Sequence, residues 1–328
     1  MVTILDCCKM VVFHGGWAAS ARDLLVLHEA DVTQDAHRRI GLNPAQVLLN
    51  GEKIVNTGDG SLGLKGDEYY AQICTNIACY MGIERSETQV VVHRKMLMAL
   101  LPLIYRGDWE HNRDAIMKQF ELELYRQFFF WSASRRDGKS FAMSMMLASL
   151  MHTLPAFRAA VFSISDRVSS WMMELVLQWF YRLPDARSRI IKKNHETFVV
   201  NTHGRTDPQY DSTLLCMPNT EKARGITFDL ACLDEAEFID PSLWFNVIAP
   251  VAQLKQVVVM AISSPEGSQY NYIREIFAAQ AEDPNSVYEI FDSNQLCPIC
   301  IKEKSVVRCP HRPEEIVDWK SPKRMRGV

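Results

Sequence analysis

The pattern of hydrophobic and polar positions changes at Phe120. From there on, short apolar runs alternate with longer segments whose apolar residues recur at helical spacing. The short runs predict strands at 127–132, 159–165, 197–201, 212–217, 230–233, 257–262 and 287–291, and the longer segments predict helices at 139–153, 167–182, 241–250 and 268–282. Strands that alternate with helices are typical of a parallel sheet covered by helices on both faces. The expected fold class is therefore α/β, and the segment 197–217, with Gly204 and Pro208 between its two runs, predicts a hairpin inserted at a sheet edge.

The first 119 residues lack this alternation. Two helix-like stretches, about 19–40 and 69–104, are separated by a glycine-rich segment at 50–68. The sequence shows neither internal repeats nor low-complexity segments. We therefore expect an N-terminal mixed region of unknown role at 1–119, an α/β domain at 120–293 and a short tail at 294–328.

The composition is that of a globular protein, with 48% hydrophobic and 23% charged residues and a formal net charge of −3. Without an overall positive charge, a polyanion would have to bind to a local patch. The apolar runs are shorter than the roughly 18 residues that a membrane span needs, so no membrane association is expected. Asp6 and Lys9 interrupt the apolar start of the chain, which makes it a poor secretory signal and favours an intracellular protein.

The segment after the run 127–132 gives the first indication of chemistry. It reads Ala133-Ser134-Arg135-Arg136-Asp137-Gly138-Lys139-Ser140 and leads from a predicted strand into a predicted helix. That is the context of a phosphate-binding loop, G-x-x-x-x-G-K-[ST], although Ala133 replaces the leading glycine. Amides at the helix start would bind phosphate oxygens, Lys139 would reach the β- and γ-phosphates, and Ser140 would bind Mg²⁺. An isolated Gly-Lys-Ser can also be an ordinary helix start.

Two further strand ends carry polar residues. The run 230–233 is followed by Asp234 and Glu235, a pattern that resembles a Walker B strand in which the aspartate holds Mg²⁺ and the glutamate polarises an attacking water. The alternative is an acidic pair at a helix start. Ser263 and Ser264 follow the run 257–262, and they would lie beside the other site because ligands bind at the carboxyl ends of parallel strands. Before a proline, a serine pair is otherwise an ordinary turn.

Together these motifs resemble the ATPase region of viral large terminase subunits, the motors that pump double-stranded DNA into preformed capsids, and most of all the herpesvirus-like branch. Loops of that family commonly replace the leading glycine and carry arginines before Gly-Lys-[ST]. The family's other motifs are similar to Leu233-Asp234-Glu235-Ala236-Glu237-Phe238-Ile239, Ile262-Ser263-Ser264-Pro265-Glu266-Gly267 and Arg224-Gly225. The resemblance covers roughly residues 120–293.

The resemblance implies a P-loop NTPase fold of the ASCE/RecA-like type, and an ATPase that uses ATP and Mg²⁺. Glu235 would be the general base, Arg135 or Arg136 would approach the γ-phosphate, and Ser263 and Ser264 would couple hydrolysis to movement. The residues implied to bind the nucleotide or its Mg²⁺ are Ser134, Arg135, Arg136, Asp137, Gly138, Lys139, Ser140 and Asp234, with Ser140 and Asp234 on the metal.

The resemblance also implies partners and a location. The partners would be double-stranded DNA, the capsid portal and other terminase subunits, and the active form would be a homo-oligomeric ring. The compartment would be the host nucleus, or the bacterial cytoplasm for a phage protein. Family members usually continue into a ribonuclease-H-like nuclease, which the few residues after Ser293 cannot form, so no nuclease activity is expected from this chain alone.

The tail and two clusters of basic residues suggest further contacts. The spacing C-x2-C-x8-C-x-H predicts a structural zinc site, against the alternative of four unlinked side chains, and its residues are Cys297, Cys300, Cys309 and His311. Two clusters could contact DNA phosphates or be solvated charged faces: Arg187, Arg189, Lys192 and Lys193, and Lys320, Lys323, Arg324 and Arg326. The tryptophans and the aromatic run 128–131 are expected in the core.

Two other functions remain open from the sequence. Asp234-Glu235-Ala236-Glu237 also resembles a DEAD-type box, as in a superfamily 2 helicase-like translocase, but that class needs a second RecA-like domain that the remaining residues cannot make. A non-catalytic assembly or adaptor subunit with a zinc tail and a vestigial nucleotide site would show no turnover.

Overall fold

A computed structural model describes residues 64–293, except 83–84, 134–136, 203–206, 219–224, 255–256, 265–271, 273–274, 277–278, 280–282 and 284. The predicted helix at 19–40, Ser134, Arg135 and Arg136, the Arg224 of the predicted Arg-Gly pair, most of the predicted helix 268–282, and the Cys/His tail lie outside the described residues.

The centre of the described structure is an eight-stranded sheet with the order β3-β4-β5-β2-β6-β7-β1-β8. The strands are β1 (Phe128–Ser132), β2 (Arg158–Ser163), β3 (Ile190–Lys193), β4 (Thr197–Val200), β5 (Ser212–Pro218), β6 (Leu230–Asp234), β7 (Val258–Ser263) and β8 (Tyr288–Asp292). All neighbouring pairs are parallel except β3–β4 and β4–β5, so β4 alone runs against the others. Because β7 lies between β1 and β6, the carboxyl ends of these three strands meet at one edge.

Helices cover both faces of this sheet. They are α1 (Lys65–Thr75), α2 (Glu87–Tyr105), α3 (Gly107–Gln119), α4 (Lys139–Thr153), α5 (Asp166–Phe180), α6 (Ala186–Arg189), α7 (Pro241–Leu243) and α8 (Ala249–Leu254). A π-helical turn at Asn76–Tyr80 continues α1, and another at Trp244–Ile248 joins α7 to α8. None of the described helices combines the length and the apolar character that crossing a membrane requires.

Successive side chains of each strand point to opposite faces of the sheet, and this divides the core into two layers. On β1, Phe129 and Trp131 belong to the layer that contains α4 and α5, whereas Phe128 and Phe130 pack with Trp244 on the opposite face. Helix α4 is apolar on almost every side, and it is buried nearly throughout, as expected of a helix enclosed by other elements. The central strands are buried on both faces, which explains why their sequences read as continuous apolar runs.

Helices α1 and α2 also belong to the first core layer. Their buried side chains, including Ile73, Leu97 and Leu100, form one hydrophobic cluster with Phe129 of β1 and Met146 of α4. The described part of the N-terminal region therefore packs on the helix that follows the phosphate-loop sequence. The domain boundary at 119/120 remains a prediction.

The predicted strands and the parallel sheet are confirmed, as is the helix at 139–153. The single helix predicted at 69–104 is wrong. Helix α1 begins earlier, at Lys65, and α2 begins only at Glu87, after a break. Ser86 caps α2, because the side chains of Ser86 and Gln89 each accept a hydrogen bond from the backbone N–H of the other. This Ser-x-x-Gln pattern is a capping box, a sequence pattern that marks the start of a helix. It explains why a new helix begins here.

Two other expectations need correction. The predicted hairpin is present as antiparallel β4 and β5, but it does not form the sheet edge, because the unpredicted strand β3 pairs outside it. The sequence of β3 lacks the apolar pattern of a strand, because only Ile190 is partly buried and the rest of this short edge strand is exposed. Trp171 is 48% exposed on α5 and is therefore not a core residue.

Candidate active site

The connection from β1 to α4 is described at its two ends, at Ala133 and from Asp137 onward. Gly138 precedes the first helical residue and lies in the left-handed region, with φ 74° and ψ 29°. A side chain is strained there, which accounts for glycine at this position. Lys139 and Ser140 then form the first turn of α4, at the carboxyl edge of the sheet. Ser134, Arg135 and Arg136 lie outside the described residues, so their roles remain predictions.

The Lys139 side chain is buried and bridges two parts of this edge. Its Nζ donates hydrogen bonds to the Ala133 carbonyl oxygen, at 3.2 Å, and to Ser264 Oγ, at 2.7 Å. The ammonium group is thereby held between the residue after β1 and the residue after β7. A phosphate oxygen arriving at the loop would find a cation that is already positioned and mostly removed from bulk water.

Ser140 is joined to the end of β6. Its Oγ donates a hydrogen bond of 3.0 Å to Asp234 Oδ1. Asp234 is 1% exposed, and burial raises the pKa of its carboxyl group to about 6. The Ser140 hydrogen bond lowers that pKa, the Glu235 charge raises it, and the Lys139 charge lowers it again. The carboxylate lies in an apolar edge where a cation would stabilise its charge.

Glu235 stands in the left-handed region with φ 53° and ψ 53°, an uncommon conformation for a residue other than glycine. Its Oε2 accepts a hydrogen bond of 3.3 Å from the Ser264 backbone N–H. Such backbone strain is concentrated at functional sites, where the surrounding structure holds it. The turn directs the glutamate towards the loop after β7, so that Ser264 contacts both Lys139 and Glu235.

Ser263 ties the three strand ends together from the other face of the sheet. Its carbonyl oxygen accepts from the Ala133 N–H at 3.1 Å, and its Oγ accepts from the Glu237 N–H at 3.0 Å. In the parallel register, Ser263 lies beside Ser132 of β1, and Ile262 lies beside Asp234 of β6. The candidate residues from three separate strand ends are therefore in one network of contacts.

Helix α2 supplies residues that sequence reasoning missed. A Cβ atom placed on Gly138 would lie 2.5 Å from Gln89 Nε2, so the Gln89 amide packs directly on the loop glycine. The Ser86–Gln89 capping box fixes that side chain, with Gln89 Oε1 accepting from the Ser86 N–H at 3.0 Å. The capping-box pattern is visible in the sequence, but its contact with Gly138 is not.

His93 connects the same helix to α4. Arg85 Nη1 donates to His93 Nδ1 at 2.9 Å, and His93 Nε2 lies 2.9 Å from the Ala142 carbonyl oxygen. A guanidinium only donates and a carbonyl only accepts, so the imidazole is neutral with its proton on Nε2. Burial, and then the Arg85 charge, lower the pKa of His93 to about 3, and the Ala142 hydrogen bond acts in the opposite direction.

The oxygen groups of Ser140 and Asp234 fit a magnesium ion. Mg²⁺ prefers hard oxygen ligands and usually takes one or two from the protein, the rest coming from water and substrate phosphates. Asp234 is buried with its charge only partly compensated, and Ser163, at the end of β2, has a buried Oγ without a hydrogen-bond partner among the described residues. His, Cys, Asp and Glu side chains do not assemble into a cluster of three that could hold a metal anywhere in the described part of the chain.

Comparisons with known proteins find solved structures that are similar to this chain at low sequence identity. No model of a known protein family matches the chain, and a search of curated proteins finds no significant match. The large terminase ATPase domain of Thermus phage P74-26 is 19% identical, with a TM-score of 0.43 over 55% of this chain and 84% of that one. The HK97 bacteriophage large terminase is 11% identical, with a TM-score of 0.45 over 67% of this chain and 42% of that one.

A third similar structure is the large terminase of the thermophilic bacteriophage D6E in complex with ADP. It is 14% identical, with a TM-score of 0.39 over 51% of this chain and 40% of that one. At this level of similarity, the functions of these proteins do not transfer to the chain.

Proposed function

We propose that this chain is an ATP-hydrolysing motor subunit of a viral terminase, built on a P-loop NTPase fold, that moves double-stranded DNA into a preformed capsid. The observation that carries the proposal is the convergence of Lys139, Ser140, Asp234 and Glu235 at one sheet edge. They come from two motifs far apart in the chain, and hydrogen bonds join Ser140 to Asp234 and join both Lys139 and Glu235 to Ser264, which supports the proposal. The motor and its substrate DNA rest in addition on the motif resemblance to terminases.

Binding of ATP would use groups from the start of α4 and the end of β6. Backbone N–H groups at the start of α4 and the Lys139 ammonium would receive the phosphate oxygens. Ser140 and Asp234 would hold the magnesium ion, which when bound neutralises charge on the phosphate oxygens. Lys139 would then exchange its contacts with Ala133 and Ser264 for contacts with phosphate.

Hydrolysis would depend on Glu235. Its carboxylate would orient a water molecule and accept its proton as that water attacks the γ-phosphorus, while the bond to the bridging oxygen breaks and ADP leaves. Ser264 links this step to the rest of the edge, because its N–H contacts Glu235 and its Oγ contacts Lys139. If Lys139 changed its hydrogen-bond partners on binding phosphate, Ser264 would lose a contact and could shift. Through such a shift, Ser263 and Ser264 would couple hydrolysis to movement.

The remaining details of the proposal rest on the motif resemblance. Arg135 or Arg136 would approach the γ-phosphate, and the herpesvirus-like branch would place the working motor in the host nucleus. The active form would be a homo-oligomeric ring at the capsid portal, together with other terminase subunits. The Cys/His tail would bind structural zinc.

Binding of a fluorescent ATP analogue in the presence of Mg²⁺ tests the nucleotide site. We expect the wild type to bind it and Lys139→Ala to lose most of that affinity. Lys118→Ala is the matched control, because Lys118 is an exposed lysine on α3 and is not among the residues proposed to bind the nucleotide. Equal binding by wild type and Lys139→Ala would exclude the proposed site.

A further inference from the structure

The Ser163 hydroxyl is buried without a partner. Ser163 ends β2, is 0% exposed, and its Oγ forms no hydrogen bond within the described part of the chain. A buried hydroxyl without a hydrogen bond carries a desolvation cost, so such groups are uncommon in folded proteins. Its position in the sheet shows what could bind to it.

Ser163 lies beside Asp234. Phe162 of β2 pairs with Leu233 of β6 in parallel register, so the next residues, Ser163 and Asp234, are neighbours on strands about 4.8 Å apart. Both side chains point to the face covered by α4 and α5, because Val161 and Cys232, two positions earlier, belong to that core layer. That is the face on which Ser140 contacts Asp234.

Among the described residues, the neighbours of Ser163 on β5 and β6 form no hydrogen bond with its hydroxyl group. On β5 the residue beside it is Pro218, whose side chain has no hydrogen-bonding group. Asp234 is near, yet no hydrogen bond joins the two side chains directly. A hydroxyl and a carboxylate in this arrangement can be bridged by one water molecule.

We propose that Ser163 is a positioning residue for the magnesium ion of the nucleotide, accepting a hydrogen bond from a water molecule of the ion's hydration shell. This inference rests on the proposed nucleotide site. Magnesium retains several of its waters in protein sites, and the residues that bind such outer groups affect metal affinity strongly. Ser163 would extend the Ser140–Asp234 pair by a third oxygen from a neighbouring strand.

The test combines two measurements on Ser163→Ala. The first is the affinity for ADP carrying a fluorescent ribose label, measured at increasing Mg²⁺ and with the metal removed by a chelator. We expect the variant to need about tenfold more Mg²⁺ for half-maximal tight binding, with its metal-free affinity unchanged. The second is the thermal midpoint of the nucleotide-free protein, which should equal or exceed that of the wild type because an unpaired hydroxyl is removed.

Ser149→Ala is the matched control. Ser149 is also 0% exposed, but it lies in α4 and its Oγ donates to the Ile73 carbonyl oxygen at 3.3 Å. This variant should lower the thermal midpoint and leave the Mg²⁺ dependence unchanged. A hydroxyl with only a structural role would give the Ser149 result at Ser163 as well.

Either of two results would overturn the inference while leaving the nucleotide site standing: an unchanged Mg²⁺ dependence in Ser163→Ala, or a thermal midpoint below that of the wild type. If the wild type itself binds no labelled ADP at any Mg²⁺ concentration, the proposed function fails and this inference with it.

Discussion

Ser140 Oγ donates a hydrogen bond to Asp234 Oδ1 across a separation of 94 residues in the chain. The contact exists because α4 begins at the carboxyl end of β1, and β6 ends one strand beyond the intervening β7. A parallel sheet brings such strand ends to one edge, which is why catalytic residues of α/β proteins come from distant parts of the sequence. The same edge holds Lys139 and Glu235.

The first prediction concerns the loop glycine. Gly138→Ala should lower the free energy of unfolding by about 1–2 kcal/mol, because an L-residue is strained at this positive φ. The new Cβ would also displace the Gln89 amide, which it would approach within 2.5 Å. Urea unfolding of Gly138→Ala, with and without Gln89→Ala, measures both effects, and the double variant should recover part of the loss.

Gly107→Ala is the matched control for this strain. Gly107 begins α3, and a Cβ placed on it meets no atom within 4 Å. Alanine should therefore be neutral or stabilise by up to about 1 kcal/mol at this position. If both glycine variants unfold at the same urea concentration, the left-handed turn is not required at Gly138.

The second prediction concerns His93 and pH. Its pKa is lowered to about 3 in the folded state, so between pH 6.5 and 3 the unfolded chain binds a proton that the folded chain does not. Its contribution to stability is present above pH 6.5 and is lost as the pH falls. At pH 5 the loss is about 2 kcal/mol, given that one pKa unit corresponds to about 1.4 kcal/mol.

Urea unfolding at pH 7.5 and pH 5 tests this for wild type and His93→Gln. The variant should lose less stability on acidification than the wild type, since the acidic groups titrate in both proteins. His111→Gln is the control, because His111 is exposed on α3. An unaltered pH dependence in His93→Gln would show that the buried imidazole does not titrate as described.

The third prediction concerns the basic residues near the β3 edge. These residues have different environments. Arg189 donates a hydrogen bond to the His152 carbonyl oxygen at 3.2 Å and so contacts the protein itself, whereas Lys192 is exposed on edge strand β3. Exposed cations there are suited to contacts with DNA phosphates. Lys192→Glu should weaken binding to double-stranded DNA and reduce the salt dependence of log K by about 0.9 per lost phosphate contact.

Lys118→Glu is the matched control for charge reversal, since Lys118 is also exposed but lies on α3. DNA affinity is measured at several salt concentrations for both variants. The same loss of affinity in both would indicate an effect of net charge alone and would contradict a contact at the β3 edge.

Sequence reasoning found those elements whose pattern is set by burial. The runs of β1, β6 and β7 are apolar because the strands are covered on both faces, and the polar residues that follow them mark the carboxyl edge. The sequence does not predict edge strand β3, because a strand that is mostly exposed lacks an apolar pattern. The packing of Gln89 on Gly138 and the position of Ser163 beside Asp234 join residues that are far apart in the sequence. Local sequence patterns do not predict such contacts.

The most direct test of the central claim is the rate of phosphate release from Mg²⁺-ATP, with and without double-stranded DNA, for wild type, Glu235→Gln and the control Glu174→Gln. Glu174 is exposed on α5. We expect the wild type and Glu174→Gln to hydrolyse ATP, faster with DNA, and Glu235→Gln to bind the nucleotide but to turn over about 100- to 10,000-fold more slowly. Hydrolysis that survives Glu235→Gln unchanged, or a wild type without turnover in every oligomeric and DNA-bound state, would contradict the account.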